Sequence, residues 1–494
     1  MRLDLDAQDA GFSESFDYVI VGSGAAGATA ARVLTETGRS VVVLEEGPAI
    51  DPKNFSEKIF PTFKNLFREM GGQVARGRAF LPVLQGRCLG GSTVVNSAIV
   101  WRLPNDVFDQ WDALGLADAL PRKELHARWD KLEKELKVAP TPQPVWGRFN
   151  SLMDDARKKL GVSAHPIKRY VDGCKGSARC LTGCPHGAKQ SMLVSYLPQA
   201  ESRGATLVTG ARVERVLFDG IRAVGVEGRS RRGAFKVMAR RAVILGASAI
   251  QTPQILQESG IDGVHVGRHF QAHPGCALIG VFEEKVDMWF GATQGFDADE
   301  HRRVGRYKVE TISLQPEILF ARLPGAGRRW LSSMAEARHM AIWAVQMRAY
   351  AEGSVRKRFF GADIQFSLNA RDMVNMRRGL RFTADMYFAA GAKSILPGIH
   401  GLPERIFPGE QWMLEAGPSD PACYSMILSH LFGTARMSLR GCDGVVGPDF
   451  GVHGTRGLYV LDSSVFPTNT GVNPQHAIMG AAWLGSERLA EARN

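Results

Sequence analysis

The sequence predicts an α/β fold built around a parallel sheet, and three observations carry that prediction. Residues 17–21 (DYVIV) form a short apolar run that ends on glycine, the pattern of a strand buried on both faces. The segment GSGAAG follows at 22–27, and the Ala-rich stretch ATAARVLTETG reads as a helix closed by Gly38. A second apolar run, SVVVLEEG, then ends on two carboxylates. The order strand, glycine turn, helix, strand is that of a Rossmann-like dinucleotide-binding unit. Gly22 permits the tight turn, Gly24 lets the backbone approach a pyrophosphate, and Gly27 permits close helix–strand packing. Ala25 and Ala26 open the helix, whose amide N–H groups and positive dipole face the phosphates. Glu45 is placed to accept hydrogen bonds from ribose hydroxyls, with Glu46 the alternative if the register slips by one.

Beyond this unit the elements follow in order. Residues 105–165 are charged and helical (RKELHARWDKLEKELK), interrupted by APTPQPVWG, and read as a peripheral insertion. Residues 204–245 alternate like strands and suggest a small antiparallel sheet returning to the dinucleotide domain. Residues 280–365 mix strand-like and aromatic segments. Residues 369–392 read as a helix rich in methionine and aromatics, and 425–494 end in a strand, a Pro/Asn-rich loop and a helix. Neither an internal repeat nor a low-complexity tract is evident.

The bulk numbers bound the function. A chain of 494 residues, 45% apolar and 22% charged, buries a large core of two or more domains or one composite one. Residues 1–16 carry no apolar leader region, and no stretch approaches the length of a membrane span, so the expectation is a cytoplasmic protein. Seven cysteines, an odd number, fit a reducing compartment. Much of the net charge of +11 lies between Arg302 and Arg381, in HRRVGR, GRRW, VRKRFF and NMRRGLR. With no nucleic-acid module present, this is a solvated face, an anionic membrane surface or the landing of an acidic redox partner.

Taken together with four further motifs, the chain resembles the glucose–methanol–choline (GMC) flavin oxidoreductases over 17 to about 490. GRCLGGSTVVN (86–96) is similar to the family's first signature, although Val100 and Trp101 depart from its end. SAIQTPQILQESGI (248–261) is similar to the second, up to Asp262, where the family has glycine. SHLFGTARM (429–437) and LYVLDSSVFPTNTGVNPQHAIM (458–479) are similar to the C-terminal motifs. The resemblance implies FAD and a discontinuous architecture. The FAD-binding domain would be assembled from 1–100, 200–285 and 425–494. The α+β substrate domain and insertion loops would take 101–199 and 286–424. No histidine lies between Gly86 and Arg102, where some relatives attach FAD covalently, so non-covalent FAD is expected.

The resemblance also assigns roles. Alcohol oxidation needs a base near the substrate oxygen and a second polar group to orient it. His430 stands at the family's active-site histidine and Asn473 at its second position. Asn473 also reads as a helix N-cap with Pro474 at the first helical position. The helix start near Gln475 and His476 would aim at the flavin. Within the first signature Arg87, Gly90, Gly91, Ser92 and Asn96 would touch flavin or pyrophosphate. Asp462 would approach ribityl or phosphate oxygens, and Val213 the adenine.

One segment stands apart. CKGSARCLTGCPHGAKQS (174–191) holds Cys174, Cys180 and Cys184 with the spacing C-x5-C-x3-C-P, whereas Cys88, Cys276, Cys423 and Cys442 are scattered. The flavin subunits of iron–sulfur sugar dehydrogenases in this family look similar here, which implies a [3Fe-4S] cluster on these three thiolates. The family's long-chain alcohol oxidases also look similar here, which implies buried structural thiols instead. Zinc, with His186 as fourth ligand, is a third reading. The leading functional expectation is oxidation of an alcohol, with electrons passed to an external acceptor such as a cytochrome or small subunit. Trp289, Phe290, Phe320, Trp330 and Trp343 suggest a roomy apolar pocket. A sugar dehydrogenase subunit, an oxygen-using oxidase and a non-redox lyase or decarboxylase are the alternatives. In the iron–sulfur relatives, export depends on a partner that carries the signal.

Overall fold

The computed structural model describes residues 1–7, 12–358 and 361–491. Residues 359–360, the end of the basic VRKRFF segment, and 8–11, within the leader-free stretch, lie outside that set. Two sheets organise the chain. In the first, strands run in the order Arg2–Asp4, Thr206–Thr209, Val41–Leu44, Ser13–Val21, Gly233–Leu245, Arg222–Ser230, Arg212–Asp219, and Leu458–Val460 also pairs with Gly233–Leu245. The first five strands and Leu458–Val460 pair in parallel, while the 212–245 meander pairs antiparallel. The expected strand–turn–helix–strand unit is present. Ser13–Val21 feeds a helix over Ala25–Thr35, which returns to the wholly buried strand Val41–Leu44.

Two glycines make this unit possible. Gly22 has a φ of 95°, which a side chain would strain. A Cβ at Gly27 would lie 1.9 Å from the Gly22 carbonyl oxygen, so helix and turn meet only because that atom is missing.

The second sheet is antiparallel, in the order Ser394–Leu396, Gln271–Val281, Met340–Met347, Tyr307–Ile312, Phe296–Ala298, Ala164–Pro166, with Met426–Phe432 also on Gln271–Val281. The Ala370–Ala389 helix packs on this sheet and starts at a capping box, Asn369 and Asp372 bonding each other's backbone N–H. Apolar burial falls into two clusters, one per sheet. The Asn105–Ala113 and Arg122–Glu135 helices contribute Phe108, Trp111 and Trp129 to the first cluster. Arg128 ties them to the C-terminal helix through Glu487 at 2.6 Å. In the basic region, Arg302, Arg329, Arg358 and Arg381 each pair with a carboxylate. Among the described residues no helix is long and apolar enough to cross a membrane.

Gly27→Ala is expected to cost on the order of 1–3 kcal/mol or more through overpacking against Gly22. Gly24→Ala, whose Cβ would meet nothing within 4 Å, is expected to leave stability near wild type. Thermal unfolding of the two variants side by side checks the contrast.

Candidate active site

A cavity of about 1400 Å³ lies between the two sheets. Its first wall is the glycine turn and the start of the Ala25–Thr35 helix. The Gly24 N-cap carries no side-chain cap, so the first amide N–H groups face the cavity unpaired by a capping residue. Gly91 (φ 56°) packs against this turn, where an added Cβ would lie 2.9 Å from Gly24 Cα. The Arg87 side chain lines the same wall, and its buried Nε has no hydrogen-bond partner. Glu45 is buried and accepts from Ser23 N–H (3.2 Å), Ser23 Oγ (2.5 Å) and Gly47 N–H (2.9 Å). Glu46 accepts from Arg68 at 2.8 Å.

The opposite wall is one face of the second sheet, and strand period two decides what it presents. Glu310 stands opposite Ala344, which stands opposite Ala277; two residues along, Lys308 stands opposite Gln346, then Gly275, then Ile427. Small side chains in the centre leave room, and charges collect at one end. Lys308, Glu310 and Asp297 are all buried. The Lys308 ammonium donates to Glu310 Oε1 and, at 2.7 Å, to Asn473 Oδ1, and lies 3.5 Å from Asp297 Oδ2. Gln294 donates to Glu310 Oε2 at 2.8 Å. Burial alone would raise the Glu310 pKa, but the charge and hydrogen bond of Lys308 outweigh it and hold the group below the ordinary range. Asn473 has its oxygen taken by Lys308 and its amide also hydrogen-bonds Glu310, so that one amide N–H remains towards the cavity.

His430 sits in the Met426–Phe432 strand with φ 57°, a left-handed conformation that a non-glycine residue holds only under constraint. Its Nδ1 faces His273 Nδ1 at 3.2 Å and Gln346 Nε2 at 3.1 Å. His273 Nε2 accepts the Gly471 backbone N–H at 3.0 Å, which places the His273 proton on Nδ1. His273 therefore donates to His430 Nδ1, and neutral His430 carries its proton on Nε2. Burial pushes the His430 pKa down to about 4, with Glu310 partly opposing, and pushes His273 well below its ordinary value.

The expected residues mostly converge. Gly22, Gly24, Ala25, Ala26, Glu45, Glu46, Arg87, Gly91, Ser92, Asn96, Val213, His430, Asp462, Asn473, Pro474 and Gln475 all line the cavity. Gly27, Gly90 and His476 do not line it. Gly90 instead makes the turn at φ 95° behind Gly91. His476 is fully buried and turned to other partners: its Nδ1 meets Tyr170 Oη at 2.5 Å and its ring stacks on Trp129. The Asp462 side chain is spent on Ser248 N–H, Thr252 Oγ and Ser464 N–H. The C-terminal helix spans Gln475–Glu491 and Pro474 C=O accepts from Ile478 N–H, so Asn473 is not its N-cap but is held by Lys308. Sequence reasoning missed Lys308, Glu310 and His273. The signal was present in YKVETI, where two charges sit at alternate positions of an otherwise strand-like run.

The three-cysteine segment lies behind the cavity. Cys174, Cys180 and Cys184 line a separate void of about 10 Å³. Among the described residues no group of three or more His, Cys, Asp or Glu is arranged to hold a metal ion, so the expected cluster or zinc site finds no support there. The Cys180 sulfur instead accepts from Arg169 at 3.0 Å. Lys189 of the same segment is buried and donates to Val94 O (2.6 Å), Asn96 O (2.6 Å) and Cys180 O (2.7 Å), pinning the segment to the 86–96 loop. Asn96 in turn donates to Gln475 Oε1 at 2.6 Å.

Comparison with known proteins places this geometry. Family models of the GMC oxidoreductases match residues 16–275 and 353–482. The chain belongs to the GMC oxidoreductase family. This GMC protein is 34% identical over 473 residues to a GMC-type oxidoreductase of Mycobacterium tuberculosis strain H37Rv, covering 94% of this chain and 74% of that one. It is 25% identical over 512 residues to the long-chain-alcohol oxidase FAO4B of Arabidopsis thaliana, covering 96% and 67%. Its fold matches a formate oxidase of Aspergillus oryzae RIB40, solved in work on modification of that enzyme's FAD, with a TM-score of 0.74 at 19% identity over 97% of this chain and 99% of that chain.

NMR of histidine-labelled protein is expected to show His430 neutral, protonated on Nε2, down to about pH 4. An unfolded histidine binds a proton near pH 6.5, so the His430 contribution to stability is present above that value and is lost as pH falls towards 4. A titration midpoint near 6.5 would contradict the hydrogen-bond assignment.

Proposed function

We propose that this protein oxidises a hydrophobic alcohol with non-covalent FAD as its two-electron acceptor, passing the electrons to an external acceptor. The observation that carries the reading is one cavity lined both by an uncapped helix N-terminus with a glycine cradle and by the Glu310–His430–Asn473 constellation. The residues present fit FAD. Unpaired amides near Gly24 and the partnerless Arg87 Nε suit a pyrophosphate, and open space at Gly24 admits it. Glu45 and Val213 would hold the ribose and adenine end, and Asn96, Pro474 and Gln475 the flavin end. When bound, FAD supplies the hydride acceptor.

The chain's own residues then bind, orient and move a proton. The His430 Nε2–H and the Asn473 amide nitrogen donate to the substrate oxygen and favour its anionic form. The sequence reading made His430 the base, but the polarity imposed by Gly471 and His273 gives its free nitrogen a proton. Glu310, held ionised by Lys308, takes the hydroxyl proton instead. Ala277, Ile312, Leu314, Ala344 and Ile427 exclude water and accept an apolar substrate chain. The resemblance to a long-chain-alcohol oxidase supports a long-chain substrate.

Anaerobic mixing of the FAD-loaded enzyme with a long-chain primary alcohol is expected to bleach the flavin in a single turnover. Glu310→Gln is expected to slow that bleaching by roughly 10²–10⁴-fold while FAD remains bound. Bleaching at the wild-type rate in Glu310→Gln would exclude the carboxylate as base.

A further inference from the structure

Each turnover leaves a proton on a buried carboxylate, and the sheet offers it a way out. His165, Asp297 and Glu310 are direct register partners on three adjacent strands, so their side chains stand in a row on one face. Lys308 lies two residues from Glu310 on that face and bridges to Asp297. The row ends on the edge strand Ala164–Pro166, where the His165 side chain is 45% exposed. The two oxygens of Asp297 divide the work. Its Oδ2 accepts from Trp101 Nε1 at 3.1 Å and faces Lys308 Nζ at 3.5 Å. Its Oδ1 is fully buried with no hydrogen bond aligned on it, and His165 Nε2 lies 3.2 Å away. A buried carboxylate oxygen left without a donor is costly unless it serves as an acceptor for a proton.

We propose that Lys308, Asp297 and His165 form a proton exit that carries the substrate's hydroxyl proton from Glu310 to solvent. The inference rests on the role given to Glu310 above. The transfer balances without electrons. Lys308 gives one ammonium proton to Asp297 as it takes the proton of the Glu310 carboxylic acid. Rotation of the neutral Asp297 carboxyl group carries the proton from the Lys308 side to the His165 side. Asp297 passes it to the His165 imidazole Nε2, the imidazolium releases a proton to water, and every group returns to its starting charge. Asp299 lies 3.9 Å from His165 Nδ1 at the outlet.

The test uses the FAD-loaded full chain in weak buffer, with a long-chain primary alcohol and a pH indicator dye. Flavin bleaching and proton release are followed together. In the wild type the proton appears with the bleaching. In His165→Gln the interval between bleaching and release is expected to lengthen at least ten-fold, and imidazole in the medium is expected to shorten it again. A merely structural histidine would not respond to imidazole in this way. Asp297→Asn is expected to lengthen the interval with no rescue, because the gap then lies inside the protein. Release on time in both variants, with Glu310→Gln slow to bleach, overturns the exit and leaves the base intact. Glu310→Gln bleaching at the wild-type rate overturns both.

Discussion

The site is organised by one buried cation. Lys308 is enclosed by the second sheet with its side chain at 0% exposure, and a charge there persists only if its neighbours compensate. Glu310, Asn473 and Asp297 do so from three directions. Each compensation has a functional consequence. Glu310 is kept ionised and therefore available as an acceptor. Asn473 is held with its oxygen on Lys308, which turns its amide nitrogen towards Glu310 and the cavity. Asp297 is drawn into a row that reaches the surface. The Lys308 ammonium also stands 5.2 Å from the Trp101 ring centroid, a further favourable contact for a desolvated cation.

The second sheet turns this local arrangement into a wall. Strand alternation keeps polar groups on the cavity face at 308 and 310, and cross-strand pairing extends that face through Ala344 and Ala277 to Gly275. The first sheet supplies a different kind of surface, made of backbone rather than side chains. There the glycines at 22, 27 and 91 let the chain approach itself, and Gly24 opens onto free space, which leaves a concave, amide-lined cradle. Lys189 and Asn96 brace the loop between the two surfaces, which explains why the 174–191 segment sits beside the site without lining most of it.

The dinucleotide half was legible because its signals are local: an apolar run, glycines at fixed offsets and a closing carboxylate. The convergence of Asn96, His430, Asn473 and Gln475 came from the family resemblance, since no spacing in the sequence connects residues so far apart. What escaped was whatever depended on register. Lys308 and Glu310 look like an ordinary amphipathic strand until the pairing with 340–347 places both inside. His476 was read as a flavin neighbour because it follows Gln475, yet the helix turns it back towards Tyr170 and Trp129. The packing of the charged Arg122–Glu135 helix was similarly hard to see, because its apolar stripe of Leu125, Trp129 and Leu132, which joins the first core, is narrow. The three cysteines share a spacing with cluster-bearing relatives, but ligand geometry is a tertiary property, and here Arg169 and Lys189 occupy the segment's polar partners.

The central claim is that Lys308 holds Glu310 ionised as the acceptor of the substrate proton. It is tested most directly by the pH dependence of flavin reduction in the FAD-loaded Lys308→Met variant, with thermal unfolding measured alongside. The groups facing Glu310 are Lys308, Asn473, Gln294 and His430, with His273 behind His430 and Asp297 across the strand. In the wild type, with Glu310 held low and His430 neutral above about pH 4, the rate is predicted to be flat from pH 5 upward. In Lys308→Met, burial loses its main opponent, with only Gln294, Asn473 and His430 left against it, and the rate is predicted to fall with an acidic limb moved towards the neutral range. A folded Lys308→Met enzyme whose flavin reduction stays as fast and as independent of pH as the wild type would contradict the account.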